Sequence, residues 1–191
     1  MEKWNSSIMF PTDNCFQNRI LKAAFSPSKS SGNPMITLEL EVTVPTIYNV
    51  GGQDVDISGV KSKYYVTTTV LDKEQEGKID TDKTKKARKN ATKLLTSLGV
   101  DVGELDPDEV GQGVDWNNID VKPLEGKLVF CKMSSNVVEQ RKTPTAAELE
   151  LAKKNGIHPS QAGVIMTHPI TGKKLVDYWP QIDEVYGAVP A

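Results

Sequence analysis

The 191-residue chain is 38% hydrophobic and 25% charged, the composition of a globular protein with a core of its own. No window approaches the roughly 18 apolar residues of a membrane span, and the N-terminal MEKWNSSIMFPTD lacks the apolar core of a secretory signal, so no membrane partner is expected and a cytoplasmic setting is. Cys15 and Cys131 form no close-spaced metal motif and predict no disulfide framework.

The net charge of −2 hides an uneven distribution. Asp101 to Val121 holds seven acids and no Lys or Arg, which leaves 23 basic against 18 acidic residues (25 less those seven) elsewhere. Between Lys83 and Lys93 the run KTKKARKNATK has six basic residues and no acid. Such two-sidedness permits a basic surface despite the overall sign.

Taken in chain order, Met1 to Asn14 reads as a loose arm and Phe16 to Phe25 as a first strand. Pro34 to Val44 is the clearest strand: Ile36, Leu38, Leu40, Val42 and Val44 face one way, and Thr37, Glu39, Glu41 and Thr43 the other, the period of two of a half-buried antiparallel strand. Pro45 stops it. Thr46 to Val60, with a Gly-Gly pair, reads as a long hairpin loop able to carry short strands. Lys63 to Leu71 is a third strand rich in β-formers, with Tyr64, Val66, Thr68 and Val70 on one face and Lys63, Tyr65, Thr67, Thr69 and Leu71 on the other.

A helix follows, capped from Asp80, Thr81 or Asp82 and ended by Gly99, with Ala87, Ala91, Leu94, Leu95 and Leu98 as its apolar stripe. Asp101 to Val121 is an acidic, irregular insertion. Gly126 to Met133 is a fourth strand that Asn136 to Lys142 can prolong. Thr145 with Glu148 makes a capping box ahead of a short helix that Gly156 ends, and the last strand runs from about Tyr178 to Tyr186. The order matches a single mainly β domain over residues 1–191. The expectation is a five-stranded OB-fold barrel with one helix between strands 3 and 4 and insertions at about 46–61, 101–121 and 134–176, although other small α+β folds share parts of this order.

Catalytic signals are weak. His158 and His168 each precede a proline and read as polar loop residues. Asp54 and Asp56 sit among glycines, where Asx turns are the usual role. No nucleophile elbow or phosphate-cradling glycine loop occurs, so neither an enzyme nor a metal or other cofactor is expected. A hydrolase with a metal on Asp54, Asp56 and a histidine is the reading that strand cleavage would reveal.

Nucleic-acid binding has more support. Unpaired bases are held by aromatic faces, with Lys and Arg along the phosphates. Lys63 and Tyr65 alternate onto one face of the third strand, where Tyr65 either stacks a base or covers a second apolar surface. The basic helix is what any solvated helix shows opposite an apolar stripe. Arg141 and Lys142 end a β ribbon, and Trp179 either stacks a base or packs the closing strand.

The stretch SKSSGNPMITLELEV resembles a signature of bacteriophage single-stranded-DNA-binding proteins with an OB-type fold: a lysine-, serine- and glycine-rich turn, then Asn-Pro, then an alternating strand. The resemblance continues through KYYVTTTVL, ATKLLTSLGV, LEGKLVFCKM and DYWPQIDEVYG. It implies a viral protein, lodged in the host-cell cytoplasm, that binds single-stranded DNA largely without sequence specificity in replication or recombination.

Tyr65, Tyr48 and Trp179 would supply stacking, and Lys29, Lys61, Lys63, Lys132, Arg141 and Lys142 phosphate contacts. Replication or recombination proteins are the implied protein partners, and an exposed strand edge would allow self-association. The acidic segment could shield the basic groove in the free protein. The alternative is a protein-interaction module that uses its insertions to hold a replication or host partner.

Overall fold

The alternating strand is formed as its pattern requires. In the computed structural model, which describes residues 14–50, 52–75 and 77–189, β2 spans Pro34–Val44 and buries Ile36, Leu38, Leu40 and Val42. Each such side chain contributes about 1.5–3 kcal/mol by leaving water. The expected arm over residues 1–13 lies outside the described residues, and Asn14 already opens β1 (Asn14–Pro27).

β1 pairs antiparallel with β2 and, on its other side, with β6 (Leu128–Glu139). β5 (Lys61–Thr67) flanks β2, and β7 (Val176–Ala188) flanks β6. The result is a five-stranded antiparallel sheet in the order β5-β2-β1-β6-β7. Register shifts in β1 near Gln17 and Ile20, and in β6 near Phe130 and Lys132, bend the sheet around its core.

That core joins Phe16 and Ile20 of β1, Val129, Cys131 and Met133 of β6, and Ile182 and Val185 of β7 to the buried face of β2. Helix α1 (Thr81–Ser97) adds Ala91, Leu94 and Leu95, with Leu98 just beyond its end. Its cap is Asp80, whose side chain accepts from the Lys83 amide at 3.1 Å.

Two expectations need correction. The sheet is not a closed barrel, because no ladder joins its edge strands β5 and β7. Helix α1 packs against both edges, and Pro180 on β7 has no amide hydrogen to offer a further strand. A side-chain bond crosses that seam, from the Ser62 hydroxyl to the Pro180 carbonyl at 2.9 Å.

The helix also does not fall between strands 3 and 4. Thr46 to Val60 forms its own two-stranded sheet, β3 (Ile47–Val50) with β4 (Gln53–Asp56), so α1 lies between the fifth and sixth strands. β5 stops at Thr67 rather than Leu71. Beyond it Thr68 donates to the Pro34 carbonyl, the Val70 amide to the Thr84 hydroxyl, and the Leu71 amide to the Asn33 side chain.

The remaining insertions are built rather than loose. Over Ser134–Glu139 and Val176–Gln181 the last two strands continue as a ribbon. The ribbon leads to a small unit containing α2 (Ala146–Lys154), with the capping box of Thr145 and Glu148 in place. The acidic segment buries Val102, Val110, Ile119 and Val121, the first, third and fourth in the main core, and ion-pairs with α1.

Candidate nucleic-acid interface

β5 pairs with β2 so that Lys61, Lys63 and Tyr65 lie opposite Glu41, Glu39 and Thr37 on the outer face of the sheet. Strand alternation puts Tyr64 and Val66 on the inner side, Val66 buried and Tyr64 packed against the core. Tyr65 is 55% exposed, high for a strand tyrosine flanked by a ladder. Lys63 Nζ lies 3.9 Å from Glu39 Oε2, with the lysine side chain still 41% exposed.

Three crevices meet at Tyr65. The first, about 640 Å³, runs to the β1–β2 turn and is lined by Ser28, Lys29, Met35, Thr37 and Lys63 besides Tyr65. The turn is fixed by the Gly32 amide donating to the Ser28 carbonyl at 2.8 Å, with Gly32 at φ 72° where other residues are strained. The second, about 450 Å³, lies along the seam between the edge strands and is lined by Lys61, Lys63, Tyr65, Asn136 and Trp179. The third, about 560 Å³, opens between α1 and β7 and is lined by Tyr65, Asn90, Lys93, Glu184 and Tyr186.

The structure thus brings together Lys29, Lys61, Lys63, Tyr65 and Trp179. Four other expected contacts line none of these crevices. Tyr48 on β3 packs edge-on against Phe16, ring centroids 5.4 Å apart, and is partly buried against the core. Lys132 on β6 faces Cys15 on one side and Glu184 on the other. Arg141 is engaged by the Gly163 carbonyl at 2.8 Å and by Glu139 at 3.2 Å. Lys142 donates its backbone amide to Val164 in the same unit.

The acidic segment does not shield these crevices. Asp108 and Glu109 pair with Lys85 and Lys89 of α1 at 3.0 and 2.8 Å, the Gly111 amide bonds the Thr92 hydroxyl, and Arg88 lies 5.4 Å over the Trp116 ring. None of its residues lines any of the three crevices.

Thr37, Met35 and Tyr186 were missed by sequence reasoning. The first two share the face of Tyr65 only once the β2–β5 register is known. Tyr186 needed the approach of α1 to β7. Its phenol is pushed up by desolvation and then by Glu184, to which it hydrogen-bonds, and that of Tyr64 is pushed up by burial and then by the same carboxylate.

The carboxylates weighed for metal chemistry serve the β3–β4 hairpin. Asp54 accepts from the Asn49 amide group at 2.8 Å, and Asp56 from the Ser58 amide at 2.9 Å. His158 and His168 accept backbone amides in their own turns. Among the described residues no group of three or more His, Cys, Asp or Glu could hold a metal ion, and no helix is long and apolar enough to cross a membrane. Comparison with protein-family models, with curated proteins and with solved structures finds no match for the chain.

Proposed function

We propose that the protein binds single-stranded DNA, largely without sequence preference, as a non-catalytic factor in phage replication or recombination. One observation carries the reading: an exposed tyrosine, Tyr65, at the meeting point of three crevices, with Lys29, Lys61 and Lys63 lining the two that run along the sheet. An exposed ring beside alternating lysines gives a face on which any base stacks and a charge track for the phosphates. Trp179, 40% exposed in the second crevice, offers a second ring.

The test is a titration of tryptophan fluorescence with oligo-dT and with a duplex of equal length at two salt concentrations. Single-strand binding that falls steeply with salt is expected, because counterions are released. Tyr65→Ala should weaken it by about 1–3 kcal/mol, the worth of one stacked base, with the thermal midpoint unmoved. A Tyr65→Ala variant that binds normally but melts early would make Tyr65 a packing residue.

A second reading is favoured by the unit at the end of the β6–β7 ribbon, which exposes Val164 (60%) and Ile170 (88%). On that reading the insertion recognises a replication or host protein. Absence of any nucleic-acid binding at low salt, with a stable partner in pull-downs, would establish it.

A further inference from the structure

The third crevice differs in chemistry from the other two. Glu184 is the one carboxylate that lines any of the three. A phosphodiester has little reason to enter beside it, because two anions in a half-enclosed crevice repel. A base is a different guest. Its edge carries donors, its faces are aromatic, and the crevice walls supply partners for both.

Tyr65 and Tyr186 are the ring surfaces, Tyr186 being 49% exposed. Asn90 offers an amide that can donate and accept. Ser97 Oγ, already donating to the Leu94 carbonyl at 2.8 Å, keeps its lone pairs for accepting. Lys93 stands on the α1 side, and Lys132 adjoins Glu184 across the β6–β7 ladder. An ionised carboxylate only accepts, so the base edge that suits it must donate. Exocyclic amino groups do so at the edge of cytosine, adenine and guanine, whereas the one donor on thymine's pairing edge, its ring N–H, is flanked by two carbonyls that a carboxylate repels.

We infer that the crevice between α1 and β7 receives one unpaired base bearing an exocyclic amino group, with that group donating to Glu184 and the ring lying against Tyr65 or Tyr186. The inference rests on the single-strand reading and adds to it a point of base preference on an otherwise tolerant surface. The strand tracks along Lys29, Lys63 and Lys61, and a single base turns aside at Tyr65 into the third crevice.

The experiment compares oligo-dC with oligo-dT of equal length at about pH 8, by anisotropy, for the full chain and for Glu184→Leu. The unmodified protein should bind oligo-dC about fivefold or more tighter. Glu184→Leu should abolish the preference, bringing the oligo-dC and oligo-dT affinities to within about twofold of each other. Glu184→Gln, which keeps a carbonyl acceptor, should retain part of the preference, and neither variant should shift the salt slope, since no phosphate contact is lost. Equal binding of the two oligomers by the unmodified protein, or an equal change for both in Glu184→Leu, would overturn the inference while leaving the single-strand reading intact. Failure of either oligomer to bind at low salt would overturn the single-strand reading and this one with it.

Discussion

The Ser62 hydroxyl donates to the Pro180 carbonyl at 2.9 Å, and this bond ties the two edge strands of the sheet where no ladder does. Ser62 is 3% exposed and lies next to Lys61 and Lys63 at the floor of the second crevice. Its loss would leave a carbonyl without its partner and let the seam widen beneath Trp179. Ser62→Ala should cost about 1 kcal/mol, read as a fall of about 2–4 °C in thermal midpoint for a chain of this size. It should also weaken oligo-dT binding, because the lysines and the indole would no longer be held at one spacing. A midpoint unchanged from that of the unmodified protein would mean that α1 alone holds the seam.

Much of the architecture was legible because its signals are local. The limits of β2 follow from alternation bounded by prolines, and α1 from a capped apolar stripe ended by glycine, with Gly99 at φ 75°. The capping box of α2 needed only Thr145 and Glu148. What was not legible depends on residues far apart in the chain. β5 and β7 stay unpaired with α1 packed against both, and no local pattern reports that packing, although Pro180 is itself a local sign of an edge strand. Tyr48 and Tyr65 look alike in sequence, since both sit in short β-rich runs. One meets Phe16 at 5.4 Å and the other meets solvent, because the first belongs to a hairpin folded onto the core and the second to an edge strand.

The acidic segment is held in place by two kinds of interaction of unequal weight. The Lys85–Asp108 and Lys89–Glu109 pairs are exposed, and exposed pairs are worth about 0–1 kcal/mol each. Val102, Val110, Ile119 and Val121 are buried, and each contributes more. Deleting residues 101–121 should therefore lower the thermal midpoint rather than simply unmask a site. The charges are better tested by Asp108→Asn with Glu109→Gln. That pair should leave the midpoint nearly unmoved and oligo-dT affinity within about twofold at fixed salt, since the segment lines none of the three crevices. A marked tightening would show that the segment screens the groove at a distance.

Gly163 sits where no side chain fits. A Cβ built on it would come within 2.0 Å of the Lys142 carbonyl oxygen, a backbone atom that cannot swing aside. The adjacent Lys142 amide bonds the Val164 carbonyl at 2.9 Å, and the Arg141 guanidinium bonds the Gly163 carbonyl itself. Gly163→Ala should push these strands apart, with an overpacking cost of about 1–3 kcal/mol. The ribbon carries the affected unit away from the main core, so the damage should be local. Hydrogen exchange is expected to speed up across residues 140–166 while the amides of β2 keep their protection. Loss of protection in β2 as well would mean that the insertion and the sheet unfold as one unit.

The two thiols differ in what surrounds them, and the difference gives a probe of the sheet's outer face. Cys131 is buried in β6, and burial, with a smaller effect from Cys15, pushes its thiol up to about 12. Cys15 is exposed and lies opposite Lys132 in the β1–β6 ladder. At about pH 8 a thiol held that high has almost no thiolate, which is the reacting form. A maleimide or aromatic disulfide reagent should therefore titrate one thiol in the folded protein, at Cys15, and two after denaturation. The label then stands beside Lys132 and near Tyr186 of the third crevice, away from the two that hold Lys29, Lys61 and Lys63. Oligo-dT affinity should survive labelling within about twofold if the strand follows Lys29, Lys63 and Lys61. A large loss would place Lys132 in the path of the DNA and carry the strand across the sheet rather than along its β5 edge.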